Sequence, residues 1–411
     1  MLNNKEYLNK IFQSNKPLII YKTIGGYDVY TDFKEKITLN SKNFKNFLNK
    51  KTLQLKSPIK ELNCYIGFFG FQLLCENIKI KIPKQQSLNF YPGLVYKPQT
   101  IIKIRKNIVI KSLLKNFRQI QTLKYENKYF YQKKFNLNLD ESKYSNLFKH
   151  FSKKIQLGET YQIKICQTYS NKSNIDAVDF FWKLMSINES PESFLIRDKD
   201  YSIVSCSPET LIEKKKDVII TKPIAGTLNR TKKMTKKFAN NFFKKNEKES
   251  KEHNMIVDME RNDLSRICKT GTVKINKLKT VEQYRDLYHY VTEIKGKLKK
   301  HITNHDIISA MMPGGSVIGC PKINTIKLLN GREKLNRNIY TGSFGYINTN
   351  GDMRFNIIIR SILNYKKRAE ISAASGVVID SKPKREYKEN YIKAKSLLDL
   401  FKTCLLYTSP S

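Results

Sequence analysis

Hydrophobic and polar positions along this chain switch between two periods. Near the start, Pro17–Tyr21 and Tyr27–Tyr30 are short strand-like runs, and Ile101–Ile110 alternates apolar and basic residues as a half-exposed strand does. Cys64–Leu74 is apolar and punctuated by glycines, which predicts a close-packed strand and turn. From Lys143 a longer period appears. Apolar residues recur at helical spacing over Tyr144–Leu157, closed by Gly158, and again over Asp176–Ile187. Between them Tyr161–Gln167 predicts a strand, and Phe194–Arg197, Ser202–Ser205, Thr210–Lys214 and Val218–Thr221 predict a meander. Thr227–Lys251 reads as a long, basic, partly helical loop. Glycines before Pro321-Lys322 predict a turn into a helix, whose first N–H groups suit an anion. Ile357–Ile359 predicts a buried strand ending at Arg360. Glu386, Glu389 and Lys393 fall at i, i+3 and i+7, on one face of a predicted helix.

Composition adds bounds. The 411 residues are 40% hydrophobic, enough for a large core in one big domain or two. No run of 18 apolar residues occurs and the first residues lack a signal-type apolar segment, so a cytoplasmic protein without membrane contact is expected. The formal net charge is +40, a value that usually points to nucleic acid. Here the lysines are spread over the whole chain. Local clusters (Lys232-Lys233, Lys236-Lys237, Lys244-Lys245) come with no zinc-finger spacing and no aromatic-plus-glycine RNA-binding signature, so no nucleic-acid partner is expected. The seven cysteines (64, 75, 166, 206, 268, 320, 404) form no CxxC pair and are expected to be reduced and mostly buried. Residues 404–411 break the preceding helical pattern and are expected to be a non-native tail.

Several motifs, in order, carry a resemblance: Ser207-Pro-Glu209, Pro223-Ile-Ala-Gly-Thr227, Glu252-His-Asn-Met-Ile-Val-Asp258, Arg261-Asn-Asp-Leu264, His289-Tyr-Val-Thr292, Pro313-Gly-Gly-Ser-Val-Ile-Gly-Cys-Pro-Lys322, Tyr340-Thr-Gly-Ser-Phe-Gly-Tyr346, Phe355-Asn-Ile-Ile-Ile-Arg360, Ala373-Ala-Ser-Gly376 and Glu386-Tyr-Lys-Glu389. Together they resemble the chorismate-utilising enzymes, which include anthranilate synthase component I, aminodeoxychorismate synthase component I, and isochorismate and salicylate synthases. The match is close over about 145–398 and loose before 140. It implies an α+β fold with two large, packed, antiparallel-rich β-sheets flanked by helices, and a cleft active site. It also implies an amino-terminal part over 1–140 and a chorismate-binding catalytic domain over 141–403.

Chorismate carries two carboxylates and a C4 hydroxyl that must leave, so it needs a cation for each carboxylate and an acid for the oxygen. The resemblance assigns Glu209 as that acid, its pKa raised by burial or by Glu252 and Glu389 nearby. Glu252 and Glu389 match the family's Mg²⁺ carboxylates. His289 matches a histidine at the ring. Arg360 and Tyr340 match the residues on the enolpyruvyl carboxylate. Gly226, Thr227, Ser316, Ala374, Ser375 and Gly376 would supply backbone or hydroxyl contacts, and Lys393 would face the ring carboxylate or the metal cluster.

Two positions separate family members. Gln162 stands where the water-adding members carry a basic lysine, which implies ammonia as nucleophile. Ala225 stands where some aminodeoxychorismate synthases carry a lysine that adds to the ring, which favours direct attack as in anthranilate synthase. Against that, Pro313-Gly-Gly-Ser316 resembles the aminodeoxychorismate branch, and no Leu-Leu-Glu-Ser feedback motif is found. The balance favours the aminodeoxychorismate branch, with anthranilate formation as the alternative. No Gly-x-Cys-x-Gly elbow is present, so ammonia is expected from a separate glutamine amidotransferase.

Overall fold

A computed structural model describes residues 3–54, 57–83, 89–118, 129–231, 234–283 and 287–403, without the side chains of 225, 227, 229, 247–249, 287 and 403. Lys232-Lys233 and the expected tail at 404–411 lie outside the described residues.

In chain order the elements are α1 (Asn4–Gln13), β1 (Leu18–Thr23), β2 (Gly26–Thr38), α2 (Phe44–Asn49), β3 (Cys64–Phe69), α3 (Phe71–Asn77), β4 (Gly93–Ile104) and β5 (Ile108–Ser112). Then come β6 (Asn136–Leu137), α4 (Glu141–Gln156), β7 (Gln162–Lys172), α5 (Ala177–Ile187), β8 (Glu192–Arg197), β9 (Tyr201–Ser207), β10 (Thr210–Lys215), β11 (Val218–Lys222) and β12 (Ile224–Asn229). The rest is α6 (Lys236–Lys245), α7 (Glu247–Ile267), β13 (Lys274–Gln283), β14 (Leu287–Lys297), α8 (Asn304–Met311), β15 (Gly319–Cys320), α9 (Lys322–Asn330), β16 (Ser343–Asn348), β17 (Met353–Asn356), β18 (Ser361–Tyr365), β19 (Arg368–Val377) and α10 (Pro383–Thr403).

Among the described residues every pairing is antiparallel, and the backbone ladder runs β7-β19-β18-β9-β8-β1-β2-β4-β3-β16-β17-β10-β11-β14, with β13 and β12 on β14. The two halves of this ladder face each other. Phe194 of β8 stacks on Phe344 of β16 with ring centroids 3.8 Å apart, although those strands do not pair. Ile19, Phe68, Tyr96, Tyr201, Ile358 and Leu363 complete this inner core. Helices cover the outside: α1, α5 and α10 over one half, α2, α3, α7 and α8 over the other. This is the α+β arrangement of packed antiparallel sheets expected above, with the sheets joined through β1, β2 and β4.

Strands in the middle of the ladder are covered on both faces, which gives continuous apolar runs instead of alternation. Leu18 and Ile20 enter the outer core while Ile19 and Tyr21 enter the inner one. The same holds at Ile101 and Ile102, both fully buried where a half-exposed strand was expected. Caps mark the helices: Asp140 accepts from the Lys143 N–H and Asp176 from those of Val178 and Asp179. On α4, Tyr144, Phe148, Phe151 and Ile155 form the buried stripe.

Three expected elements differ. Cys64–Leu74 is a strand followed directly by helix α3, because Gly70 opens the turn and Phe71, Leu73 and Leu74 all find cover. The span 227–251 holds the end of β12, helix α6 and the start of α7; Lys236, Lys237, Lys244, Lys245 and Lys251 are exposed while Ala239 and Phe243 are buried. Ile357–Ile359 is no strand. It is the buried crossover from β17 in one half to β18 in the other, tied by Ile357 N–H to the Glu209 carbonyl (3.1 Å) and Ile358 N–H to the Gly342 carbonyl (2.8 Å). Burial alone does not separate a strand from an extended connector. Five of the six described cysteines are buried and all six are free.

Candidate active site

Strand β7 and its neighbour β19 form the floor. Residues of alternate parity share a face, so Gln162, Lys164 and Cys166 look the same way, beside Ala374 and Gly376. Gln162 Nε2 donates to Glu252 Oε1 at 2.7 Å and Lys164 Nζ to the same oxygen at 3.0 Å. Helix α7 supplies Glu252, whose side chain is 21% exposed. A Cβ on Gly376 would stand 2.7 Å from both Gln162 Nε2 and Lys164 Nζ and 3.2 Å from Glu252 Oε1, so only glycine leaves this cluster its room.

Helix α10 brings Glu389 and Lys393, which pair at 2.7 Å, and Lys393 Nζ also donates to the Ala374 carbonyl at 3.0 Å. Glu386, on the same helix, turns instead to the Ser381 hydroxyl at 3.0 Å. Glu252 and Glu389 are near enough to repel: burial and the Glu252 charge raise the Glu389 pKa, and Lys393 and Lys164 more than offset both, leaving it lowered. Burial also acts upward on Glu252, but Lys164, Lys393 and the Gln162 amide bring it down to about 2. Among the described residues, no group of three or more His, Cys, Asp and Glu converges. Glu252 and Glu389 are two carboxylates from different helices whose charges act on each other.

Glu209 follows β9, in the bend before β10, and is 5% exposed. Burial pushes its carboxyl up to about 7, against the opposing pull of the Ser316 hydroxyl, which donates at 2.8 Å, and of the Lys164 and Arg360 charges. The expected contribution of Glu252 and Glu389 to this shift is not what raises it; dehydration does, and the Lys164 and Arg360 charges oppose it. Arg360 sits on the crossover with φ +49°, a left-handed backbone that costs an arginine energy and marks a position fixed by its surroundings. Its carbonyl accepts from the Cys206 N–H at 3.1 Å. Its charge reaches both Glu209 and His289.

His289 lies on β14 opposite Thr227 of β12. Gly226, with φ +91° at a break in that register, turns its carbonyl to His289 Nδ1 at 3.3 Å. A carbonyl only accepts, so Nδ1 carries the hydrogen. Burial and then Arg360 lower the imidazole to about 3, which keeps it neutral at any working pH. Tyr340 is buried against Cys166 and Ala374, and burial raises its hydroxyl pKa. Thr227 and Ala225 contribute described backbone only; their side chains lie outside the described residues.

Of the backbone or hydroxyl contact expected of Ser375, the hydroxyl is engaged elsewhere: it meets the Tyr144 hydroxyl at 2.8 Å, on the helix-covered face of β19, because strand parity turns it away from Ala374 and Gly376. Only its backbone can serve the cleft. Lys322, at the predicted anion-binding helix start, is also turned inward, to Asp263 at 2.7 Å and the Ala310 carbonyl at 3.0 Å. Lys164 was missed in the sequence, though its place two residues after Gln162 on a strand was the available signal. A cavity of about 400 Å³ lined by Lys34, Glu35, Lys51, Gln54, Tyr65 and Lys97 shares none of these residues.

Several known proteins are similar to this chain. The chain is 36% identical over 256 residues to aminodeoxychorismate synthase component 1 of Bacillus subtilis, covering 62% of this chain and 54% of that protein. It is 31% identical over 354 residues to an anthranilate synthase component I-like protein of Synechocystis, covering 81% of this chain and 72% of the other. The match thus spans about half the length of the first relative. The crystal structure of anthranilate synthase component I from Streptococcus pneumoniae superposes with a TM-score of 0.74 at 25% identity, over 93% of this chain and 90% of that one. Residues 9–399 match the chorismate binding enzyme family as a whole, and the chain belongs to that family.

Proposed function

We propose that this protein aminates chorismate as aminodeoxychorismate synthase component I, taking ammonia from a separate glutamine amidotransferase subunit. The observation that carries amination over water addition is the state of the cleft's basic residues. Gln162 has no basic nitrogen. The lysine beside it, Lys164, is held as an ammonium: burial acts to lower its pKa, but Glu252, Glu389 and Glu209 raise it above its ordinary value. A protonated lysine abstracts no proton from water, whereas ammonia brings its own lone pair.

Glu252 and Glu389 fit Mg²⁺, which takes one or two carboxylates and completes its shell with water and substrate oxygens. When bound there, the ion would supply positive charge to a substrate carboxylate and orient it. The chain's own residues do the rest. Arg360 offers a guanidinium fork to the other carboxylate, with Tyr340 beside it. Glu209, whose burial keeps a protonated fraction near neutral pH, gives its proton to the C4 oxygen as the C4–O bond breaks and water leaves. Ammonia forms the new C–N bond at the para carbon and then sheds one proton. Neutral His289 borders the ring, and the core behind Tyr340 excludes bulk water.

Anthranilate formation is the second reading, favoured by Ala225 and by the longer match to the anthranilate synthase component I-like protein. Incubation with chorismate, Mg²⁺ and ammonium, followed by product identification with and without an aminodeoxychorismate lyase, separates the two. p-Aminobenzoate appearing only with lyase supports the proposal. Anthranilate formed without lyase replaces it with the second reading, and isochorismate removes both.

A further inference from the structure

Resting on the metal-dependent amination reading, we propose that Lys164 is a gating counter-ion: its ammonium occupies the Glu252 carboxylate, and the incoming chorismate dianion draws it off so that the divalent cation binds with substrate.

Lys164 stands near the start of β7, opposite Gly376 of β19 on one side and tied on the other through its N–H to the Ile318 carbonyl at 3.0 Å, and is 8% exposed. It is no surface lysine resting on a nearby acid. Its Nζ shares Glu252 Oε1 with the Gln162 amide, at 3.0 Å and 2.7 Å, and the bare Cα of Gly376 lets all three groups meet. Glu389 repeats the arrangement with Lys393 at 2.7 Å.

The charges then decide the order of events. Two carboxylates, two ammoniums and the Arg360 guanidinium leave the site with one positive charge. A divalent cation alone raises this to three, a dianion alone turns it to one negative charge, and both together return it to one positive charge. Uncompensated charge in a half-buried cleft is costly. Metal and chorismate therefore favour each other, and the coupling is reciprocal by linkage. Lys164 is the part of this device that sits on a metal carboxylate while lying within reach of Glu209, the group facing the substrate's hydroxyl. A substrate carboxylate gives its ammonium somewhere to go.

Mn²⁺ is the probe, with the free ion counted by electron paramagnetic resonance, on full-length wild type, K164M, K164R, K164Q and E252Q, each with and without chorismate and without ammonium. Wild type is expected to bind Mn²⁺ about tenfold tighter with chorismate, within the usual range of such couplings. K164M and K164Q are expected to bind it about tenfold tighter than wild type without chorismate, on the scale by which outer partners move metal affinity, and to gain less from chorismate. K164R should behave as wild type, and E252Q should bind weakly throughout. A lysine that merely supports the fold would weaken Mn²⁺ binding when replaced. Equal or weaker binding in K164M and K164Q overturns the gate, as does the lack of Mn²⁺ binding in every form. Ammonium-dependent turnover of chorismate by wild type, measured alongside, tells failure of the gate from failure of the amination reading.

Discussion

Replacing Glu209 by glutamine tests the acid in two independent ways. Burial moves this carboxyl from its ordinary 4.5 to about 7. Below pH 4.5 both the folded and the unfolded chain hold the proton, and the buried group costs nothing. As pH rises the unfolded chain gives up its proton first, so unfolding is favoured until the folded value near 7 is passed. At about 1.4 kcal/mol for each pH unit of that window, about 3 kcal/mol of stability present in acid is gone by pH 8. Glutamine does not titrate. The stability of wild type minus that of E209Q, from urea unfolding across pH 4.5 to 8, should fall by about that amount, other groups cancelling in the difference. Parallel curves would mean that Glu209 is not buried as a carboxylic acid, and the catalytic assignment would lose its basis. In the rate, E209Q should lose about 10²- to 10⁴-fold in kcat. Chorismate binding should survive, since Ser316 can still donate to the amide oxygen. Wild-type kcat should decline as pH rises through 7, the acid then being ionised.

Other expectations follow from the same geometry. Arg360→Lys keeps the charge and loses the fork, so the KM for chorismate should rise about tenfold or more; an unchanged KM removes Arg360 from the carboxylate. Glu389→Ala should raise the Mg²⁺ concentration needed for half-maximal rate, and an unaltered metal titration counts against it as a ligand. Gly376→Ala should drive Gln162 and Lys164 off Glu252, with a large loss of turnover and a destabilisation of about 1–3 kcal/mol; wild-type rates would show the close approach to be unneeded. Lys322→Met strands the buried Asp263 and should cost about 3–5 kcal/mol in urea unfolding.

As candidates, Glu209, Glu252, Glu389 and Arg360 were legible in the sequence because each sits in a motif whose order is specific. Their meeting was not. Glu252 and Glu389 are brought together from two helices by contacts far apart in the chain, and no local pattern encodes that. Parity settled what motifs left open: Ser375 and Gly376 are adjacent in one motif, yet strand alternation sends them to opposite faces. The same rule applied to Gln162 reaches Lys164. Ile357–Ile359 misled because an extended crossover through a core has the composition of a strand. The basic 227–251 span, expected to be a partly helical loop, holds helix α6 and the start of α7; its helix bounds were hidden because α6 buries only Ala239 and Phe243, too few apolar positions to outweigh its lysines.

The strands that join the two halves of the ladder come from the first 104 residues, where the sequence resemblance is loosest. β8 leans on β1, and β16 on β3. A fragment trimmed to the well-matched segment would leave both of those ladders with bare amide and carbonyl edges, the usual start of aggregation. This region is therefore constrained by its backbone pairing as well as by the buried side chains of Ile19, Phe68 and Tyr96. A chimera carrying a relative's opening segment, with its own frame and apolar positions, should fold where a deletion would not.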